Sequence, residues 1–148
     1  MTALRKVFRP RSAPFEEHKW QDIVIRPGQN PLAGISGELF EIKAEIDLAG
    51  AEQIGFNIRG VPVLYDVRDR RIRCLGTDGP LTPVNSTIKL HLLIDRTSLE
   101  IFGNDGFFSM SNCFIGADSN KTLQLFCKGG DAKLLSLRLW HLNSAWNR

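Results

Sequence analysis

Asp95, Ser98, Glu100 and Phe102 bring two carboxylates, a hydroxyl and an aromatic ring into one short stretch of this chain. A carboxylate pair can share acid and base work in glycoside cleavage. It can equally accept hydrogen bonds from sugar hydroxyls while the ring stacks on a sugar face. The structural alternative is that Asp95 stabilises a turn, Glu100 pairs with Arg96 or with a lysine of a neighbouring strand, and Phe102 packs. Tyr65 and Asp66, preceded by Arg59, form a second and weaker polar cluster. His18, His91 and His141 have no ligand spacing, and Asn104-Asp105-Gly106 fits turn geometry better than calcium, which needs more oxygen ligands. The loop at Asp118, Ser119 and Asn120 has the same weakness. Ser98, Ser109 and Ser111 lack a Gly-x-Ser-x-Gly context. No glycine loop for phosphate is present, and neither a metal nor a cofactor is implied.

The elements that must position these residues are strands. Ile88, Leu90, Leu92 and Ile94 alternate with Lys89, His91, Leu93 and Asp95, the period of a strand with one buried face. With Arg96 and Thr97 as a two-residue turn, Ile94 faces Leu99, Leu93 faces Glu100 and Leu92 faces Ile101. Asp95, Ser98, Glu100 and Phe102 then share the other face, and a slip of one residue would expose the apolar stripe. Asp105-Gly106 reads as a primed turn into a third strand, Phe107 to Cys113.

Phe40, Ile42, Ala44, Ile46 and Leu48 alternate with Glu41, Lys43, Glu45 and Asp47, which predicts a strand with one wet face. Ile54, Phe56 and Ile58 repeat the period and leave Asn57 and Arg59 outward. Gln21 to Arg26 is a short strand. Val61 to Val67 is a strand that Pro62 marks as an edge or a bulge, and Asp69-Arg70 turns into Arg71 to Leu75. Gly76 to Asn85 reads as loop. Thr122 to Lys128 and Lys133 to Leu142 are strands joined by Gly129-Gly130-Asp131. Some ten short strands at close intervals, without a long helix, mean an all-β fold, a two-sheet antiparallel β-sandwich of the jelly-roll type. The stripe of residues 40 to 48 is expected to pack against the Ile88 to Ile94 stripe or its neighbours.

Bulk properties narrow the function. A chain of 148 residues, 43% hydrophobic, suits one domain with a real core. The net charge of +3 comes from 19 basic and 16 acidic residues, well mixed after the start, which argues against nucleic acid as a partner. No apolar run approaches a membrane span, and the start lacks the apolar core of a signal peptide. Cys74, Cys113 and Cys127 each sit in an apolar strand pattern and read as buried free thiols. Residues 1–18, basic and then acidic around Pro10 and Pro14, read as a linker or arm, with 19–148 as the sandwich.

The segment Leu90-His-Leu-Leu-Ile-Asp-Arg-Thr-Ser-Leu-Glu-Ile-Phe-Gly-Asn-Asp-Gly106 closely resembles the Asp-Arg-Ser-Ser-x-Glu-x-Phe-x-x-Asp-Gly signature in the C-terminal sandwich of glycoside hydrolase family 32, the invertases, inulinases and levanases. Thr97 stands for the usual Ser. Gly37-Glu-Leu-Phe-Glu-Ile, Gly55-Phe-Asn-Ile-Arg-Gly, Tyr65-Asp66 and Leu137-Arg-Leu-Trp-His-Leu-Asn-Ser-Ala-Trp146 resemble other strands of that domain, so the likeness covers residues 19 to 147. One departure is Arg73-Cys-Leu-Gly-Thr-Asp78, where the family usually carries a second Asp-Arg. The family's catalytic motifs, Asn-Asp-Pro-Asn-Gly, Arg-Asp-Pro and Glu-Cys, belong to a β-propeller and do not occur here. The resemblance is thus to the accessory domain alone, as a fragment of a longer gene or a free-standing descendant.

The resemblance implies a non-catalytic module for fructose-containing sugars (fructan, levan, inulin or sucrose), because the related carbohydrate-binding module family 66 holds terminal fructosyl units. Asp95, Arg96 and Glu100 are the expected hydroxyl contacts, with Tyr65, Asp66 and Asn104 as weaker contributors. The alternative is a structural domain that braces a catalytic propeller, docks to a separate catalytic chain or self-associates. Catalysis by Asp95 and Glu100 ranks last, since the family chemistry lies in the propeller.

Overall fold

The computed structural model describes residues 14–106, 108–114 and 122–142, with side chains from 17 onward and none at 111–114. The expected arm at residues 1–13, the loop at 118–120, the residues beyond Leu142 and the Cys113 side chain lie outside it. Among the described residues eleven strands run β1 Pro14–Ile25, β2 Phe40–Asp47, β3 Gln53–Ile58, β4 Val61–Asp66, β5 Arg71–Cys74, β6 Thr77–Pro80, β7 Thr87–Ile94, β8 Ser98–Gly103, β9 Phe108–Phe114, β10 Leu123–Lys128 and β11 Ala132–Leu142. They form two antiparallel sheets, one in the order β1-β11-β2-β7-β8-β9 and the other β10-β3-β4-β5-β6. This is the expected all-β sandwich.

The core lies between the sheets because each strand turns its apolar residues inward at every second position. Ile42, Ile46, Ile88 and Leu92 from one sheet and Ile54, Phe56, Ile58 and Ile72 from the other are all fully buried. Each such side chain contributes about 1.5 to 3 kcal/mol by leaving water. The stripes of β2 and β7 do not face each other as expected. These strands are hydrogen-bonded neighbours, Ile42 beside Leu92 and Ile46 beside Ile88, so both stripes lie side by side and pack onto the five-stranded sheet. Alternation reports which face is buried, not which strands are partners.

The β7–β8 hairpin has the register read from the sequence, with Ile94 opposite Leu99, Leu93 opposite Glu100 and Leu92 opposite Ile101. Asp95 N–H donates to the Ser98 carbonyl at 2.9 Å and closes the turn. The next turn is wider than the expected two-residue form. Gly103 pairs with Phe108, and between them Asn104 to Gly106 make one left-handed turn with φ of 48°, 61° and 96°.

Other boundaries differ. β1 starts at Pro14, so residues 14–18 of the expected arm are paired with β11. It is an edge strand, where charged residues and a proline are tolerated and weaken the sequence signal. β6, expected as loop, adds a short edge to β5. Pro62 is neither at a sheet edge nor in a bulge. β4 is the middle strand of its sheet, but its ladder with β5 begins only at Val63, so the missing N–H is not needed there.

Candidate functional site

The six residues singled out by the sequence do not form one site. Asp95 and Glu100 share the outer face of the six-stranded sheet, Asp95 at the turn and Glu100 opposite Leu93. Asp95 Oδ1 accepts the Arg96 N–H at 2.6 Å. Arg96 pairs with Glu38, Nε to Oε1 at 3.2 Å, instead of with Glu100. Its carbonyl accepts Nη1 of Arg59 at 2.7 Å. Arg59 was expected to point outward and is only 2% exposed. Left-handed φ at Arg59 and Gly60, 52° and 88°, folds the β3–β4 turn tightly and aims the guanidinium at the β7–β8 turn. The signature Asp-Arg is therefore part of a clasp joining the two sheets.

Tyr65 is fully buried. Its hydroxyl donates to the Leu81 carbonyl at 2.6 Å, and burial pushes its pKa up to about 12. It anchors a loop and is not presented to a ligand. Asp66 ends β4, away from the Arg59 clasp by about 17 Å of strand. Its Oδ1 accepts the N–H groups of Arg68 and Asp69, and the Asp69 N–H, with Arg68 and Arg73 behind it, holds the carboxyl below its ordinary range. Asn104 sits at the other end of the β7–β8 hairpin from Asp95. Its Oδ1 accepts Lys89 N–H at 2.9 Å and its Nδ2 donates to the Thr82 carbonyl at 2.8 Å.

That hairpin end borders two adjoining hollows. One, of about 560 Å³, lies on the outer face of the six-stranded sheet over Lys43, Glu45, Lys89, His91, Phe102, Asp105 and Arg138. The other, of about 690 Å³, runs between the 80–87 segment and Asn104-Asp105, with Val84, Lys89 and Phe108 in its walls. Lys89 Nζ lies 3.2 Å from Asp105 Oδ2 between them. Both volumes are in the range of small-molecule sites. The ammonium and guanidinium groups donate, the carboxylates accept, and Phe102 offers an apolar ring beside them.

Sequence reasoning missed what underlies this face. Glu41 and His91, both expected on the wet side, are 0% and 7% exposed. Glu41 Oε2 lies 2.8 Å from His91 Nε2 across the β2–β7 ladder. Trp140, the register partner of Glu41, forms an apolar cluster with Leu39 and Leu142 on this side of the sheet. The cross-strand partnership of β2 and β7, invisible in either strand alone, is what pairs the two polar groups. Cys74 and Cys127 are buried free thiols, as expected, and burial pushes the Cys127 thiol up. Among the described residues no His, Cys, Asp and Glu side chains gather in a group that could hold a metal ion.

Two antiparallel sheets closed by a clasped signature hairpin define an accessory β-sandwich of the kind carried by sugar hydrolases. The chain belongs to the glycosyl hydrolases family 32 C-terminal domain family, whose model matches residues 11–141. It is similar to a levanase of Bacillus subtilis (strain 168), 33% identical over 86% of this chain and 22% of that protein. It is also similar to a levanase of Bacillus sp. (strain L7), 30% identical over 80% of this chain and 15% of the relative. The exo-inulinase of Aspergillus awamori has the same fold over 91% of this chain and 31% of its own, with a TM-score of 0.72 at 19% identity. The fructofuranosidase of Schwanniomyces occidentalis, solved with fructose, matches 90% of this chain and 34% of its own, with a TM-score of 0.71 at 12% identity. The chain thus spans about a fifth or less of the levanases it matches. It corresponds to their C-terminal sandwich and not to the catalytic propeller.

Proposed function

We propose that this domain is a non-catalytic module that holds fructose-containing sugars for a family 32 glycosidase. The observation that carries the reading is the open hollow beside the Lys89–Asp105 pair, where Phe102, Glu45 and Arg138 gather on one face. A sugar presents an apolar C–H face and hydroxyls that both donate and accept, which matches a ring flanked by carboxylates and cations. The levanase names of the relatives favour fructans as the class. Glu100, two residues from Phe102 on the same face of β8, is a further hydroxyl partner toward the turn, with Asp95 beyond it.

Calorimetry with sucrose, inulin and levan tests this reading. We expect weak binding without added metal, and about tenfold loss, near 1.4 kcal/mol, in Phe102→Ala or Asp105→Ala. The absence of heat with every sugar at millimolar concentration would remove the proposal.

A second reading, bracing of a catalytic propeller, is favoured by the relatives' length, since this chain covers only 22% of the Bacillus subtilis levanase. It predicts that the domain, mixed with a separately made levanase propeller, raises the propeller's melting temperature. An unchanged melting curve counts against it.

A further inference from the structure

The two hollows at the open hairpin end share part of their lining, since Glu45, Lys89 and Asp105 border both. Each hollow is large enough for a small sugar on its own, and together they exceed what a single fructosyl unit fills. What stands between them is the Lys89–Asp105 pair, whose side chains are 48% and 75% exposed. Ion pairs that wet contribute little to stability, so sugar hydroxyls can replace each half of it.

Apolar surface lies on both sides of this polar saddle. Phe102 lies in the hollow on the sheet face. Val84, 63% exposed, lines the other hollow together with Phe108. A pocket for a chain end needs a wall that stops the chain. Here neither hollow ends at the Lys89–Asp105 pair: apolar surface stands among further polar groups on each side, Phe102 with Lys43 and Arg138 on one and Val84 with Thr82 and Asn85 on the other, the arrangement for a repeating ligand whose every unit offers a C–H face and hydroxyls.

We propose that the site takes an internal stretch of a fructose polymer, laid across Lys89 and Asp105, in preference to a chain end or a free disaccharide. The inference rests on the sugar-binding reading above and names its ligand class. Phe102 carries the units on one side of the saddle and Val84 those on the other.

Stoichiometry on a linear inulin distinguishes the two modes, because such a chain has many internal stretches and few ends. We expect saturation at several domains per inulin chain. Affinity should rise at least about tenfold from sucrose to a pentasaccharide and then level off. Val84→Asp, at an exposed position away from Phe102, is expected to weaken inulin binding about tenfold and to remove most of the gain in affinity between sucrose and the pentasaccharide. Saturation at one domain per chain, or sucrose bound as tightly as the pentasaccharide, would overturn the internal mode and leave sugar binding standing. Failure of the unaltered domain to bind any of these sugars would overturn both.

Discussion

The two ends of the β7–β8 hairpin carry the same kinds of residue and use them in opposite ways. At the Asp95–Ser98 end, charged groups turn inward on the protein: Arg59 reaches the Arg96 carbonyl, and Arg96 reaches Glu38. At the Asn104–Gly106 end, backbone needs are met by the Asn104 amide, and among the described residues the Lys89 and Asp105 side chains partner each other through an exposed contact. The signature spans both ends of the hairpin: its Asp95-Arg96 start is built into the clasp, and its Asp105-Gly106 finish is at the end with side chains to offer. One motif thus serves the fold at one end and presents exposed polar groups at the other.

The largest expected effect is at the clasp. Arg59→Leu removes a charged donor from a fully buried position and leaves the Arg96 carbonyl without it, at a cost of about 3 kcal/mol. Urea unfolding should show this as a lower midpoint with little change in slope. Sugar affinity of the folded variant should stay within about twofold. A loss below about 1 kcal/mol would dissolve the contrast between the two ends.

Tyr65→Phe comes next and touches the open end indirectly, through the loop that walls it. Without the hydroxyl the Leu81 carbonyl loses its donor, for about 1 to 2 kcal/mol at neutral pH. The pH dependence has a defined sign. The unfolded phenol ionises at its ordinary value of 10.0 while the folded one keeps its proton to about 12. Its stabilising contribution is complete below the lower value and is lost as pH rises between the two. Denaturation midpoints of the unaltered domain should thus fall across that alkaline window, and Tyr65→Phe should lack this part of the decline. Parallel curves for the two proteins would refute the anchoring role.

The sequence made the inner face of this molecule readable and the outer face hard to read. The hairpin register, the stripe of β2 and the sandwich class followed from a period of two, because burial of apolar side chains enforces it. The first part of edge strand β1, residues 14–20, and the whole of edge strand β6 escaped notice because a strand paired on one side tolerates proline, glycine and charge. Glu41 and His91 looked wet because alternation assigns a face, and only the pairing of β2 with β7 shows that this face is covered. Arg59 looked outward for a similar reason, since a left-handed turn residue leaves the strand period. Of the site residues, Asn104 borders one of the two hollows, Asp95 and Glu100 share an outer face, and Tyr65 and Asp66 serve loops. Nothing local in the sequence links Lys89 to Asp105, which meet only through the hairpin.

The smallest expected effect on stability is the one that sharpens the comparison most. Lys89→Ala and Asp105→Ala each remove half of an exposed ion pair, which is worth at most about 0.5 kcal/mol and less in salt. The double variant should therefore melt within about two degrees of the unaltered domain. If the open end exists for a ligand, the same double variant should lose sugar binding about a hundredfold, the sum of two hydroxyl contacts near 1.4 kcal/mol each. Large loss of stability would mean that Lys89 and Asp105 are a second clasp, and the two ends of the hairpin would no longer differ. Unchanged stability with unchanged binding would leave the outer face as solvated surface and shift the weight to the bracing role.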